Sequence, residues 1–206
     1  MLGLLGKKLG MTSIFVGEEG KSIACTILEA GPCSVTQVKT EDTDGYDAVQ
    51  IGMGAKKEKN TSNALKGHFK KAGVAPAAKL IEVRDLDLDV ELGESLTLEM
   101  FKEGEKVSVV GQSKGKGYQG VVRRHNFKGV GMGTHGQHNR ERAPGSLGTA
   151  STSSRVFKNM RMSGRMGNQR VKVKNLEILK IYQDRNIVLI KGAVPGCIGS
   201  FVIIEK

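Results

Sequence analysis

The sequence predicts a mainly β fold, a barrel or sandwich, carrying one short helix and one long basic excursion. Two observations support the β assignment: many short runs in which apolar and polar residues alternate, and the glycine-rich turns between them. A third sets the excursion apart. Residues 111–170 hold 12 of the 32 Lys and Arg but one of the 21 acids, Glu141. The other 146 residues hold 20 bases and 20 acids, so the formal charge of +11 lies wholly in that block.

Taken in order, KSIACTILEA, CSVTQVK and YDAVQIGMG read as strands, the last two separated by the turn-prone TEDTDG. A helix is expected over residues 62–71, with Ser62 or Asn63 as its cap and Gly73 as its stop. Ala64, Leu65, His68 and Phe69 would share its inner face, with His68 packed in the core. LIEVRDLDLDV alternates as a strand with one face buried, and SLTLEMF and KVSVVG repeat that pattern. Beyond the basic block, RVKVKNLEILKIY, IVLIKGAV and SFVIIE read as strands, the first two joined by the turn QDRN. Strands on both sides make the block an excursion from the sheet.

A chain of 206 residues suits one domain, or one with an elaboration. Its 28 glycines are many, while the absence of Trp and an aromatic content of 4% exclude a large stacking surface. Cys25, Cys33 and Cys197 are odd in number and lack metal-ligand spacing, so they read as buried thiols of a reducing compartment. No run of about 18 apolar residues predicts a membrane span. The opening MLGLLGKKLGMTSIF puts its apolar run ahead of its lysines, the reverse of a secretory signal. A soluble intracellular protein is expected.

Within GQSKGKGYQGVVRRHNFKG, Gly115, Gly117 and Gly120 match a G-x-G-x-x-G nucleotide loop, and Val122 extends the match to a kinase glycine loop. The dinucleotide reading needs a following helix and an acid about 20 residues on. No acid occurs between Glu105 and Glu141, and paired arginines follow Gly120 where a helix is needed. The kinase reading lacks its H-R-D and D-F-G stretches, and the loop is no Walker motif. His135 and His138 have no carboxylate or cysteine partner for a metal, and Ser146 sits in no nucleophile elbow. No catalytic constellation emerges, and no cofactor is expected.

The block's apolar residues are few and aperiodic, so it cannot offset an ordering entropy of roughly 1–2 kcal/mol per residue. Acid exclusion then points to a polyanionic partner. Glycines let a backbone follow an irregular surface, and irregularly spaced cations suit irregularly placed phosphates. Arg123, Arg124, Arg140 and Arg142 would supply these, with Arg155, Lys158, Arg161, Arg165 and Arg170 after them. Tyr118, His125, Phe127 and Phe157 could stack on bases or anchor the loop. Nothing reads as a recognition helix or zinc finger for DNA, and folded RNA suits a long irregular probe better. Composition alone therefore stops at a nucleic-acid-binding protein, with RNA favoured.

GLLGKKLGMTSIF, GAKK, GHFKKAGV, SKGKGYQGVVRRHNF, THG, RAPGSLG, MSGRMGNQRV and IVLIKGAVPG occur in this order. By these motifs the chain resembles the large-subunit ribosomal protein L3 family, in its bacterial form, over nearly its full length. The resemblance implies a six-stranded closed barrel of the translation-protein type, a small helical insertion and a long basic extension buried in ribosomal RNA. On that plan residues 1–55, 80–110 and 171–206 form the barrel, 56–79 the helical insertion and 111–170 the extension. It further implies a structural, non-enzymatic constituent of the cytoplasmic ribosome. That constituent would bind 23S-type RNA near its 3′ end, assist early assembly and contact neighbouring large-subunit proteins. Neither a membrane nor a small-molecule substrate is expected.

Carried over by position, Lys114, Lys116, Arg123, Arg124, His125, Asn126 and Phe127 would lie at the base of the extension, and Tyr118 and Lys128 are expected to bind RNA as well. Its inner reach, toward the peptidyl transferase centre, includes His135, His138, Arg140 and Arg142. The returning limb would include Arg155, Lys158, Arg161, Arg165 and Asn168, with Arg170 after them also expected to bind RNA. Two positions depart from the family: Ser108 stands where Asp or Asn is usual, and TAST follows the PGSLG turn where some members carry a methylated glutamine. With Thr149 and Ser151 there and no glutamine, that modification is not expected.

Overall fold

The computed structural model describes residues 3–16, 20–84, 90–148 and 154–206. The fold is mainly β. Its strands in chain order are β1 (Gly3–Val16), β2 (Lys21–Ala30), β3 (Cys33–Lys39), β4 (Ala48–Ala55), β5 (Ala77–Arg84) and β6 (Ser95–Leu96). They continue with β7 (Lys106–Gln112), β8 (Tyr118–Gln119), β9 (Gly164–Arg165), β10 (Arg170–Tyr182), β11 (Ile187–Lys191) and β12 (Phe201–Glu205). The α-helices are α1 (Glu41–Asp44), α2 (Asn63–Ala72) and α3 (Val121–His125). Contacts divide the chain into a larger unit, Met1–Ser113 with Arg170–Lys206, and a smaller one, Lys114–Gln169.

In the larger unit six strands pair in a closed ring, in the order β1-β12-β7-β10-β11-β2 and back to β1. Every pairing in the ring is antiparallel. The inward residues are those that the alternation singles out. Leu4, Leu28, Val109, Ile178, Ile190 and Ile204 are all fully or almost fully buried in one cluster. Each such side chain contributes about 1.5–3 kcal/mol relative to exposure. Closure needs curvature, and register shifts between Lys8 and Gly10 in β1 and between Val173 and Leu176 in β10 supply local bends. Asn175 lies in the second shift with φ of 58°, the left-handed conformation that Asn tolerates.

The plan placing residues 33–55, 80–84 and 95–96 in the barrel needs correction. β3, β4, β5 and β6 form a separate antiparallel sheet, in the order β5-β4-β3-β6. The chain leaves the barrel after β2, where Gly31 has φ of 79° and Pro32 has no N–H to continue a ladder. Val35 and Ile51, both fully buried, place the second sheet against the same apolar cluster.

The helix predicted over 62–71 is α2, with Ser62 at its N-cap position, where its side chain makes no capping hydrogen bond, and Gly73 at φ of 68° as its stop. The amide of Val74 donates to the Phe69 carbonyl (3.1 Å) and that of Gly73 to the Lys70 carbonyl (3.2 Å), a Schellman stop. Phe69 and Ala72 are buried, Leu65 and His68 are half-buried, and Ala64 is exposed. His68 is a partly exposed brace whose Nε2 donates to Gln50 Oε1 at 2.7 Å.

Other expectations are shortened. SLTLEMF gives only the two residues of β6, followed by a 3-10 turn at Leu98–Met100. Leu98 and Phe101 are both buried, and their i, i+3 spacing suits that turn, not a strand's alternation. LIEVRDLDLDV is strand as far as Arg84, and residues 85–89 lie outside the described residues. Cys25 and Cys33 are buried free thiols, but Cys197 is exposed. It occupies a tight loop between Gly196 (φ of 100°) and Gly199 (φ of 83°), and its neighbour Ile198 is exposed too. A chain turning that sharply at the surface has no sheet face on which to bury the thiol.

Candidate nucleic-acid interface

The basic excursion corresponds to the smaller unit, Lys114–Gln169, with trimmed ends. Gly111 and Gln112 belong to β7, and Arg170 opens β10, where it pairs with Gln112. Arg170 is therefore a residue of the larger unit, its guanidinium 4.0 Å from the Glu205 carboxylate.

Local hydrogen bonds hold the base of the smaller unit. The Lys116 amide donates to the Met166 carbonyl, and the Met166 amide to the Gly117 carbonyl, both at 2.9 Å. β8 and β9 extend this ladder through Tyr118↔Arg165 and Gln119↔Gly164. Gly167 has φ of 74°, and a Cβ there would run into the Lys114 carbonyl, so only glycine lets the two limbs approach. In contrast, nothing crowds Gly117 or Gly120, and only Gly117 of the GKGYQG glycines has a positive φ.

The sequence expectation that no helix follows Gly120 is corrected, since Val121–His125 form α3. Val121 is the anchor that permits it, the one buried hydrophobic among the described residues of this unit. The helix ends at Asn126 in the left-handed conformation (φ of 59°). One turn of helix does not restore the nucleotide-loop reading. Tyr118 and Gln119, between the fingerprint glycines, are engaged in the ribbon with β9, so their backbone does not wrap a phosphate.

One feature the sequence does not announce is the Met162 carbonyl, which accepts from two predicted site residues. Arg124 Nη1 donates to it at 2.8 Å and His125 Nε2 at 3.1 Å. The second bond requires the Nε2–H form of His125. Both side chains are half-buried and tie α3 to the returning limb. They brace the base of the unit, whereas Lys114, Lys116, Arg123, Lys128 and Arg165 are exposed around it.

Further out, His135, His138, Arg140 and Arg142 are exposed, His138 and Arg140 on a 3-10 turn and His135 at φ of 53°. On the returning limb Arg155, Lys158, Arg161 and Asn168 are exposed as well. The two histidines occupy a stretch of turns that also holds the sole acid, Glu141. Residues 149–153, which include the TAST segment, lie outside the described residues.

Aromatic presentation is uneven. Tyr118 is 75% exposed and Phe157 51%, the latter with the Arg155 guanidinium 5.4 Å from its ring centroid. Phe127 is half-buried, its ring centroid 6.2 Å from that of His125. It lines an open cleft of about 500 Å³ with Lys128, Arg140 and Pro144. The arrangement offers exposed rings and cations on a backbone of irregular turns.

This unit thus carries ten formal positive charges in excess over 56 residues, with a single buried hydrophobic side chain among its described residues. In the larger unit the lysines Lys39, Lys172, Lys191 and Lys206 are paired with Glu82, Glu205, Glu177 and Glu105. The smaller unit has one acid and cannot neutralise itself in this way.

Comparison with known proteins agrees with the motifs. The sequence model of the family described as ribosomal protein L3 matches residues 83–188. The chain is also 53% identical to the large ribosomal subunit protein uL3 of Salinibacter ruber, over 205 residues covering 99% of this chain and 98% of that protein. A match of that extent spans barrel, second sheet and extension alike: the chain belongs to the ribosomal protein L3 family.

Proposed function

We propose that the protein is a structural constituent of the large ribosomal subunit, in the cytoplasmic ribosome. It binds 23S-type ribosomal RNA near the 3′ end, takes part in early assembly alongside neighbouring subunit proteins, and extends residues 114–169 toward the peptidyl transferase centre. The ring of six strands is the translation-protein barrel of that family, and it carries the extension. Lys114, Lys116, Arg123, Arg140, Arg142, Arg155, Lys158, Arg161 and Arg165 meet phosphates. Tyr118 and Phe157 present rings for stacking, while Arg124 and His125 hold the base in shape. The protein acts by shaping RNA, with no catalytic group, cofactor or small-molecule substrate of its own.

One observation carries this reading: the smaller unit joins a large charge excess to an almost absent core. A segment of that kind gains its order from an anion that fills the space around it. The rival reading is a general nucleic-acid-binding protein without ribosome specificity. The two separate on binding of the full chain to the 3′ region of large-subunit RNA and to length-matched duplex DNA at equal salt. A strong RNA preference that shrinks when residues 114–169 are replaced by a glycine–serine linker supports the ribosomal reading. Equal affinity for both nucleic acids, or no effect of the replacement, rejects it.

A further inference from the structure

The larger unit looks neutral only on average. Its segment 56–79 holds seven lysines and one acid, Glu58, while the rest of that unit holds 14 bases and 19 acids. This segment connects β4 to β5 and is closed at its ends by the Lys56 amide, which donates to the Pro76 carbonyl at 2.9 Å. Within it α2 buries Phe69 and Ala72 and turns Lys66 and Lys70 outward, at the i, i+4 spacing that places side chains side by side. Lys57, Lys59, Lys71 and Lys79 are exposed as well. Among the described residues none of these six forms an ion pair, unlike Lys39, Lys172, Lys191 and Lys206 of the same unit. Lys66 and Lys70 therefore repel one another with no acid on their face of the helix.

We propose that this lysine-studded face of α2 and the turn before it is a second phosphate-contacting surface, distinct from the extension. It grips the backbone of the same RNA, and the proposal rests on the reading of the protein as an RNA binder. The chemistry favours phosphate over a protein partner. Protein interfaces are enriched in aromatic residues and Arg and depleted in Lys. Here every cation is Lys, and the segment has no exposed large hydrophobic residue. Compact ammonium charges on flexible stems suit phosphates whose positions carry no base information.

The test uses the full chain, the triple variant K66Q/K70Q/K71Q and, as a control in the extension, R123Q/R142Q. Glutamine keeps the helix propensity of lysine, so α2 persists, and circular dichroism checks it. Affinity for large-subunit RNA is measured across a salt series. Each lost phosphate contact flattens the plot of log affinity against log salt by about 0.7–0.9. The triple variant is expected to flatten it by about two to three. Lys66, Lys70 and Lys71 are also expected to lose acylation by a water-soluble N-hydroxysuccinimide ester when RNA is bound.

A wild-type slope in the triple variant and, in the wild-type chain, acylation of Lys66, Lys70 and Lys71 that RNA leaves unchanged, beside a flattened slope in the control, would make the face merely solvated while leaving the extension's role intact. Unchanged slopes in both variants overturn this proposal too. If all forms bind duplex DNA as tightly as ribosomal RNA, the ribosomal reading fails. A flattened slope in the triple variant would still establish the surface as a phosphate contact.

Discussion

Lys8 and Val194, 186 positions apart, meet where the Lys8 ammonium donates to the Val194 carbonyl at 2.8 Å; the Gly196 carbonyl accepts from the same group at 3.3 Å. Lys8 is 7% exposed, so a charge is held in the wall of the barrel by backbone oxygens of the loop before β12. Lys8→Met keeps the apolar stem and strips the donor from those carbonyls. It should destabilise the protein by about 1–3 kcal/mol, measured by urea unfolding. An unchanged midpoint would mean that water replaces the ammonium at no cost.

The second sheet carries a pH-sensitive contact of its own. Lys39 at the end of β3 lies 2.8 Å from Glu82 of β5, and Tyr46 bridges them, accepting from Lys39 (2.6 Å) and donating to Glu82 (3.0 Å). The Lys39 hydrogen bond, reinforced by that of Tyr46, holds the Glu82 carboxyl below its ordinary value. A carboxylate depressed by folding stabilises the protein above its unfolded value and loses that contribution as pH falls through the folded one. Glu82→Gln should therefore be less stable than wild type at pH 7. The gap should close below about pH 4. A gap independent of pH would show that shape rather than charge is at work.

The three thiols should separate by reactivity. Burial pushes the Cys33 thiol up to about 11, opposed only in part by its backbone surroundings at Leu5 and Gly31, and it raises Cys25 as well. Thiolate is the reactive form, so both are protected twice over, by protonation and by access. With a disulfide reagent at pH 8, Cys197 should react fast and alone in the folded protein. Cys25 and Cys33 should follow only on unfolding. Rapid reaction of two or three thiols would mean that the barrel opens readily.

Two glycines of the extension should behave differently. Gly167→Ala places a methyl group against the Lys114 carbonyl at a positive φ, and the limbs must part. Gly120→Ala meets nothing within 4 Å at φ of −69°. The first should loosen the ladder, seen as faster amide exchange at Lys116 and Met166, while the second leaves those amides unchanged. If Gly120→Ala nevertheless weakens RNA binding, the space at that position belongs to the RNA.

Salt should govern RNA affinity steeply. If 6–10 cations meet phosphates, affinity falls roughly 10³–10⁵-fold between 50 and 200 mM salt. A shallow dependence would remove the electrostatic basis of the proposed interface.

Alternation of side chains and the glycine stops were enough to locate β2, β3, β4, β7, β10, β11 and β12, and the caps of α2. Those features act within a few residues. The same holds for the extension, because exclusion of acids over 60 residues is a property of composition alone. β1 escaped notice. Its 14 residues mix apolar, glycine and lysine positions, and the buried Lys8 breaks the alternation that marks a strand. The second basic face escaped too, because averaging over 146 residues cancelled the lysines of 56–79 against acids elsewhere.

By itself, then, the sequence determined the mainly β class, the helix over 62–71 and the location of the charge. Only the tertiary structure decided which strands share a ring. Pairing β1 with β12 joins Gly3 to Glu205 and depends on closing nearly the whole chain, which no local pattern encodes. It also decided that Arg124 and His125 face a carbonyl while Arg123 faces outward, and that Cys197 is exposed. Residue type sets what a side chain can do, whereas its direction depends on partners brought from far along the chain.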